Sequence, residues 1–236
     1  MIPIVVIRPQ PGCNATVEAV RTLGLDARGF PLFEVRPVGW EPPAPDSFDA
    51  IVLGSANAPR HAGPALAAYA GKPAYAVGAV TAEVARAAGL DVVATGAGGL
   101  KAVLNQLAPG HRRLLRLAGR ERTMLVPPPP VSMQERVVYA SEPLPLPDDL
   151  RTLLRNPALV LLHSAEAAHR FAALCDEHHV DRSIIAIAAL GPRVTRAAGA
   201  GWAALRAATA PSDAAMLALA REMCHTPPAD NCGVGA

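Results

Sequence analysis

Ser55 and Ser164 hold the same place in two similar stretches of this chain: each follows a short apolar run and opens an alanine-rich segment. A hydroxyl at a strand-to-helix turn, with free backbone N–H groups beside it, can bind a carboxylate; it can equally cap the helix, and both readings stand. Neither serine lies in G-x-S-x-G, so no hydrolase nucleophile elbow is present, and His163 beside Ser164 is a neighbour in sequence only. Tyr139, one of three tyrosines, falls in an extended segment. Its phenol can donate a proton or hydrogen bond to a departing hydroxyl, or its ring can pack with the hydroxyl in water. Arg8 closes the first apolar run, where a cation can meet a carboxylate or form a surface ion pair; Lys101, Arg60 and Arg120 are weaker versions of the same idea. Arg112-Arg113 with Arg116 read as a solvated basic face. The glycine run Gly96-Ala97-Gly98-Gly99 lacks both phosphate-loop spacings, and His163, His169, His178 and His179 lack metal-ligand spacing and read as solvated helix residues. No metal, nucleotide or other cofactor is expected.

The elements that must place these residues are short. The chain has 236 residues, 51% hydrophobic and 18% charged, so it can bury a core, and its net charge of +2 argues against a nucleic-acid partner. Its 24 prolines impose frequent breaks. No leader or membrane span is expected, and Cys13, Cys175, Cys224 and Cys232 read as free thiols of a cytoplasmic protein. Strands are predicted over Ile2–Ile7, Ala50–Leu53, Ala74–Val77, Asp91–Ala94 and Leu114–Leu117, with extended chain over Phe30–Val38 and Arg136–Tyr139. Helices are predicted from a cap at Asn14 or Thr16 to Leu23, near Pro59, over Ala82–Ala88 and over Leu100–Leu107. Pro127–Pro130 reads as a polyproline loop, and the tail after about Cys224 as disordered.

Strand, small turn, helix and glycine stop alternate, which predicts βαβ units around parallel sheets with ligands beyond the strands' carboxyl ends. The pattern also repeats. Val52-Leu53-Gly54-Ser55-Ala56-Asn57-Ala58 resembles Leu161-Leu162-His163-Ser164-Ala165-Glu166-Ala167; Ala76–Gly89 resembles Ala189–Gly201; and the apolar helix Leu100–Leu107 has a counterpart in Ala214–Met223. An inexact repeat of this kind predicts two similar α/β domains with a ligand cleft between them.

An ordered set of turns carries a resemblance: Arg8-Pro9, Pro31, Ser55-Ala56-Asn57, Val77-Gly78 with Thr81, Leu117-Ala118-Gly119, Val138-Tyr139, Ser164 and Gly191-Pro192. Over about Ile2 to Met223 the chain resembles the uroporphyrinogen-III synthase family. The resemblance implies two flavodoxin-like domains with parallel sheets, one discontinuous (1–35 plus 140–236) and one inserted (36–139), joined by extended crossings near Phe33–Val38 and Val137–Ala140. It implies a cyclising lyase that closes hydroxymethylbilane, a linear tetrapyrrole polycarboxylate, into uroporphyrinogen III with inversion of ring D and loss of water, in porphyrin and heme biosynthesis. It places the functional tyrosine at Tyr139 and substrate-binding turns at Arg8, Ser55, Asn57, Gly78, Thr81, Ser164, Gly191 and Arg193. The turn Gly191-Pro192-Arg193-Val194 departs from the family's hydroxyl-bearing pattern, and Arg193 there can supply a cation instead. That departure favours the alternative, a non-catalytic two-domain protein binding a small anion. A flavodoxin-like regulatory module fits less well, because such modules gather acidic residues where this chain has Arg8-Pro9. A monomer acting in the cytoplasm, with no membrane partner, completes the expectation.

Overall fold

The computed structural model describes residues 2–96 and 99–225. Ala97 and Gly98 of the glycine run, Cys232, and the expected disordered tail from residue 226 onward lie outside the described residues. The chain opens with β1 (Ile4–Val6), α1 (Gly12–Thr22) and β2 (Ala27–Gly29). It continues through β3 (Phe33–Pro37), β4 (Ala50–Leu53), α2 (Asn57–His61), β5 (Pro73–Val77), α3 (Ala79–Ala87), β6 (Asp91–Gly96), α4 (Leu100–Leu104), β7 (Arg113–Gly119) and β8 (Ser132–Pro143). Then follow α5 (Asp148–Leu153), β9 (Ala158–Leu162), α6 (Ala165–Glu177), β10 (Ile185–Ala189), α7 (Pro192–Ala198), β11 (Ala204–Ala207) and α8 (Asp213–His225). None of these helices is long and apolar enough to cross a membrane.

Two compact units result, one built from residues up to Glu34 and from Pro143 on, the other from Val35–Glu142. The first holds a five-stranded sheet in the order β2-β1-β9-β10-β11, and every pairing in it is parallel. Its central strands are unbroken apolar runs, as strands buried on both faces must be: all residues of β1 and β9 are buried. Side chains alternate between two cores. Val5, Val160 and Leu162 meet α6 through Phe171 and Leu174 on one face, while Ile4, Val6, Leu159 and Leu161 meet α1 and α8 through Val17, Val20 and Met216 on the other.

The second unit holds a six-stranded sheet in the order β3-β8-β7-β4-β5-β6, in which β8, β7, β4, β5 and β6 pair in parallel. Setting β8-β7-β4-β5-β6 beside β2-β1-β9-β10-β11 gives one arrangement entered at two different points. The sequence repeat supplies the register, since it equates β4 with β9 and β5 with β10. Within these two sets of five strands the order reverses once, between β7 and β4 in this unit and between β1 and β9 in the other, and ligand crevices of open α/β sheets form at the carboxyl side of such points.

Several local expectations are corrected. α1 starts at Gly12 with no side-chain cap: Asn14 pairs with Gln10, and Thr16 is buried. The Arg8 side chain lies over this first turn: a Cβ at Gly12 would stand 2.6 Å from the guanidine Nε. α4 stops at Leu104 rather than Leu107. α7 ends at Gly199, whose φ of +72° suits glycine, and not at Gly201.

Candidate functional site

The carboxyl end of β7 and β8 is irregular. The register runs Leu117 to Arg136 and Ala118 to Val137, then jumps so that Gly119 faces Tyr139, leaving Val138 as an extra residue. A bulge of this kind re-aims the side chains after it. Val138 and Tyr139, successive in sequence, therefore pack against the same core cluster. The Tyr139 ring lies across Gly119: a Cβ there would stand 2.7 Å from ring carbons and 3.0 Å from the phenol oxygen. Only glycine leaves that space. The strand ends are tied by the Arg120 N–H, which donates to the Tyr139 carbonyl at 2.9 Å. On the other side the Tyr139 ring neighbours His61, centroids 6.3 Å apart. Desolvation first, and Arg60 second, lower the His61 pKa.

Tyr139, Gly119, Gly54, Ser55, Arg122 and Thr123 line one cavity of about 190 Å³, at the point where the strand order of this unit reverses. A larger groove of about 590 Å³ in the other unit, beside Pro3, Arg28 and Asn156, holds none of the residues that the sequence nominates. The Ser55 hydroxyl accepts a hydrogen bond from the Asn57 N–H at 3.2 Å, and its carbonyl accepts from Ala58. Asn57 is half-buried in the short helix α2. Gly78, with φ of +79°, leads into α3, where Thr81 is buried in the first turn.

One wall of the cavity is a charged network that the sequence conceals, with both Arg116 and Arg122 among its lining residues. Arg116 is not part of a solvated face: its side chain is 4% exposed, and its Nη1 donates to Glu135 Oε1 and, at 3.0 Å, to the Thr123 carbonyl. Arg122 Nε donates to the other Glu135 oxygen at 2.8 Å, and its Nη1 to the Arg120 carbonyl at 3.0 Å. Burial pushes the Glu135 carboxyl up, but hydrogen bonds from Arg122 and the charge of Arg116 outweigh it and hold it below the usual carboxylate range. Arg116 is inside because β7 lies between β8 and β4 and is buried at every residue from Leu114 to Gly119. Neither Glu135 nor Gly119 stands out by type, though Gly119 closes the Leu117-Ala118-Gly119 motif.

A family model described as uroporphyrinogen-III synthase HemD matches residues 14–218. The chain belongs to the uroporphyrinogen-III synthase family. It is an enzyme of this kind, a cyclising lyase of porphyrin and heme biosynthesis, and the non-catalytic anion-binding alternative is set aside. A solved uroporphyrinogen-III synthetase from Helicobacter pylori has the same fold: it is 17% identical, with TM-score 0.63, covering 94% of this chain and 100% of its own. A mutant uroporphyrinogen III synthase from Thermus thermophilus is 16% identical, with TM-score 0.49, covering 96% of this chain and 100% of its own. No curated protein matches.

The family's other nominated residues lie in the first unit, at the carboxyl ends of its strands. Ser164 caps the thirteen-residue α6, accepting from the Ala167 N–H. Gly191 precedes α7, and its carbonyl accepts from Val194 and Thr195; Arg193 is exposed in the first turn. Arg8 is engaged: its Nη1 donates to Thr16 Oγ1 at 3.3 Å and to Asp213 Oδ1 at 3.2 Å. His163 is no solvated helix residue. It sits between β9 and α6 with its side chain 8% exposed, and its Nε2 is 4.0 Å from Asp213. Desolvation, reinforced by Arg8 and only partly opposed by Asp213, pushes its pKa down to about 4. Among the described residues no cluster of His, Cys, Asp and Glu side chains is placed to hold a metal.

Proposed function

We propose that Tyr139 assists the departure of the hydroxyl from hydroxymethylbilane, and that the turns of both units hold the substrate's carboxylates. Loss of the hydroxyl leaves a resonance-stabilised cation. Ring D then attacks through its substituted carbon, and the spiro intermediate fragments and recloses with ring D inverted, for a net loss of water. Little covalent chemistry is asked of the protein; orientation and placed dipoles suffice. The observation that carries this reading is the seat of Tyr139: a bulge and a glycine hold its phenol at a cavity shared with Ser55.

Carboxylate binding is assigned to the turns at Ser55, Asn57, Gly78 and Thr81 in one unit and Arg8, Ser164, Gly191 and Arg193 in the other. Backbone N–H groups at helix starts accept anions without many lysines, so a net charge of +2 suits a polyacid. The domains are read as flavodoxin-like, partitioned as 1–35 plus 140–236 and 36–139, with 33–38 and 137–140 as the crossings. The strand order β2-β1-β9-β10-β11 supports this reading, being the flavodoxin order of a first strand flanked by the second and third. The enzyme acts as a cytoplasmic monomer, without a cofactor and without nucleic-acid or membrane partners.

Purified protein given freshly made hydroxymethylbilane, with nothing added, is expected to yield the type III isomer. Formation of the spontaneous type I product alone would refute the assignment. Tyr139→Phe is expected to lower kcat about a hundredfold, the lower end of general-acid contributions, with KM within about threefold. Unchanged turnover removes Tyr139 from the reaction.

A further inference from the structure

We infer that Glu135 is a positioning residue for Tyr139, acting through Arg122 and the backbone that follows β7. The inference rests on the assignment of Tyr139 above. Glu135 accepts from Arg116 with one carboxylate oxygen and from Arg122 with the other, at 2.8 Å. Each guanidinium group also donates to a main-chain carbonyl of a single loop. Arg122 reaches Arg120 and Arg116 reaches Thr123, both at 3.0 Å. The same Arg120 gives its N–H to the Tyr139 carbonyl, and Gly119 just before it is the surface on which the Tyr139 ring rests. One carboxylate is thereby tied through Arg122 to the residue whose N–H holds Tyr139, and through Arg116 to the same loop at Thr123.

The arrangement is costly for a purely structural device. Arg116 and Glu135 oppose each other on β7 and β8, at 4% and 26% side-chain exposure. Apolar residues of similar volume would cover the same face without the desolvation cost. What apolar residues cannot do is hold loop carbonyls at fixed positions, because that needs directed donors. The loop has no helix to hold it: residues 120–131 run from β7 to β8 without one. Removing the Glu135 charge frees Arg122 first, since it is the more exposed partner, at 31%. The Gly119–Arg120 backbone then loosens beneath a ring that is itself still present.

Glu135→Gln is the test, run in the wild-type and Tyr139→Phe backgrounds. The expected result is a kcat about tenfold lower in the wild type with KM within about twofold, and a change below about twofold in Tyr139→Phe, because the seat no longer carries a phenol. A merely structural role would lower kcat by the same factor in both backgrounds, and that outcome overturns the inference. So does a change in KM alone. Thermal unfolding followed by Trp40 fluorescence shows whether Glu135→Gln folds. If it does not, Arg122→Gln keeps the Arg116–Glu135 pair and serves in the same cycle with the same two readings. Wild-type protein that makes only the type I isomer defeats the assigned reaction and this inference together. Type III product with additive substitutions defeats the inference alone.

Discussion

Val6 in one unit and Arg116 in the other are equivalent residues, and so are Gly29 and Glu135. The repeat matches Leu161 with Val52; Leu161 pairs with Val6 and Val52 with Arg116, while Val6 pairs with Gly29 and Arg116 with Glu135. In the first unit an eleven-residue helix, α1, bridges the two strands, and a Cβ at Gly29 would stand 2.7 Å from Cys13 of that helix. The glycine lets helix and sheet close to contact, and Val6 is fully buried beneath. In the second unit the bridge is a loop containing Pro127–Pro130, which cannot continue as helix. With no helix to pack against, the same two positions carry a cation and an anion that fasten the loop instead. A helix bridge makes a stable lobe; a loop bridge leaves room for a cavity and a phenol at its edge.

Each unit has its own tryptophan, Trp202 in the first and Trp40 in the second, so the contrast can be tested unit by unit. The largest effect is expected from Phe171→Ala. Phe171 is fully buried and stacks on Trp202 at 5.6 Å, so the change should cost about 3–5 kcal/mol. Trp202 fluorescence should report it, and kcat per folded molecule should not move.

Next comes acid. His163 holds its pKa near 4 in the fold, against about 6.5 when exposed, so the unfolded chain binds the proton first. Stability should therefore fall as pH drops from about 6.5 to 4, by about 3 kcal/mol at most, and level off below. The loss should appear at Trp202, and His163→Gln should flatten it. In the second unit, hydrogen bonds from Arg113 to Asp49, and the arginine pair around Glu135, hold both carboxyls below the usual range. Those two carboxyls lose their contribution only at lower pH, so within the window this unit's stability titrates, among the described residues, through His61 alone, and Trp40 should respond less than Trp202.

A pair of glycine substitutions separates stability from chemistry. Gly29→Ala should cost about 1–3 kcal/mol by pressing on Cys13, with kcat unchanged. Gly119→Ala presses on the Tyr139 ring, and should lower kcat about tenfold or more with a smaller change in unfolding midpoint. If both act alike, the second unit's strand end is packing and nothing else. The smallest effect concerns the two serines. Ser164→Ala removes the cap of a thirteen-residue helix and should cost about 1 kcal/mol in urea unfolding. Ser55→Ala touches only a five-residue helix and should cost less.

Much of this was legible from sequence, for identifiable reasons. Strands buried on both faces announce themselves as unbroken apolar runs, so Ala50–Leu53 matches β4 residue for residue. The repeat exposed equivalent turns because Ser55 and Ser164 sit in matching frames. Where the reading failed, the deciding feature was one that the local pattern does not show. Nothing near Gly12 says that Arg8 lies across it. β2 is three residues long with two exposed, too short for a pattern, and α5 hides behind Pro143, Pro145 and Pro147. Arg116 read as solvated because its partner Glu135 is 19 residues away and its burial depends on strand pairing. The bulge that turns Tyr139 has no local signature at all.

The way the chain leaves and re-enters the first unit has a practical corollary. The Leu144 N–H donates to the Leu32 carbonyl at 2.9 Å, so departure and return happen at one spot on the host. A short tether across that spot would close the host lobe, and everything between is a graft. Host and graft share one strand arrangement cut at different points, so moving the point of chain entry would convert the order of either one into that of the other.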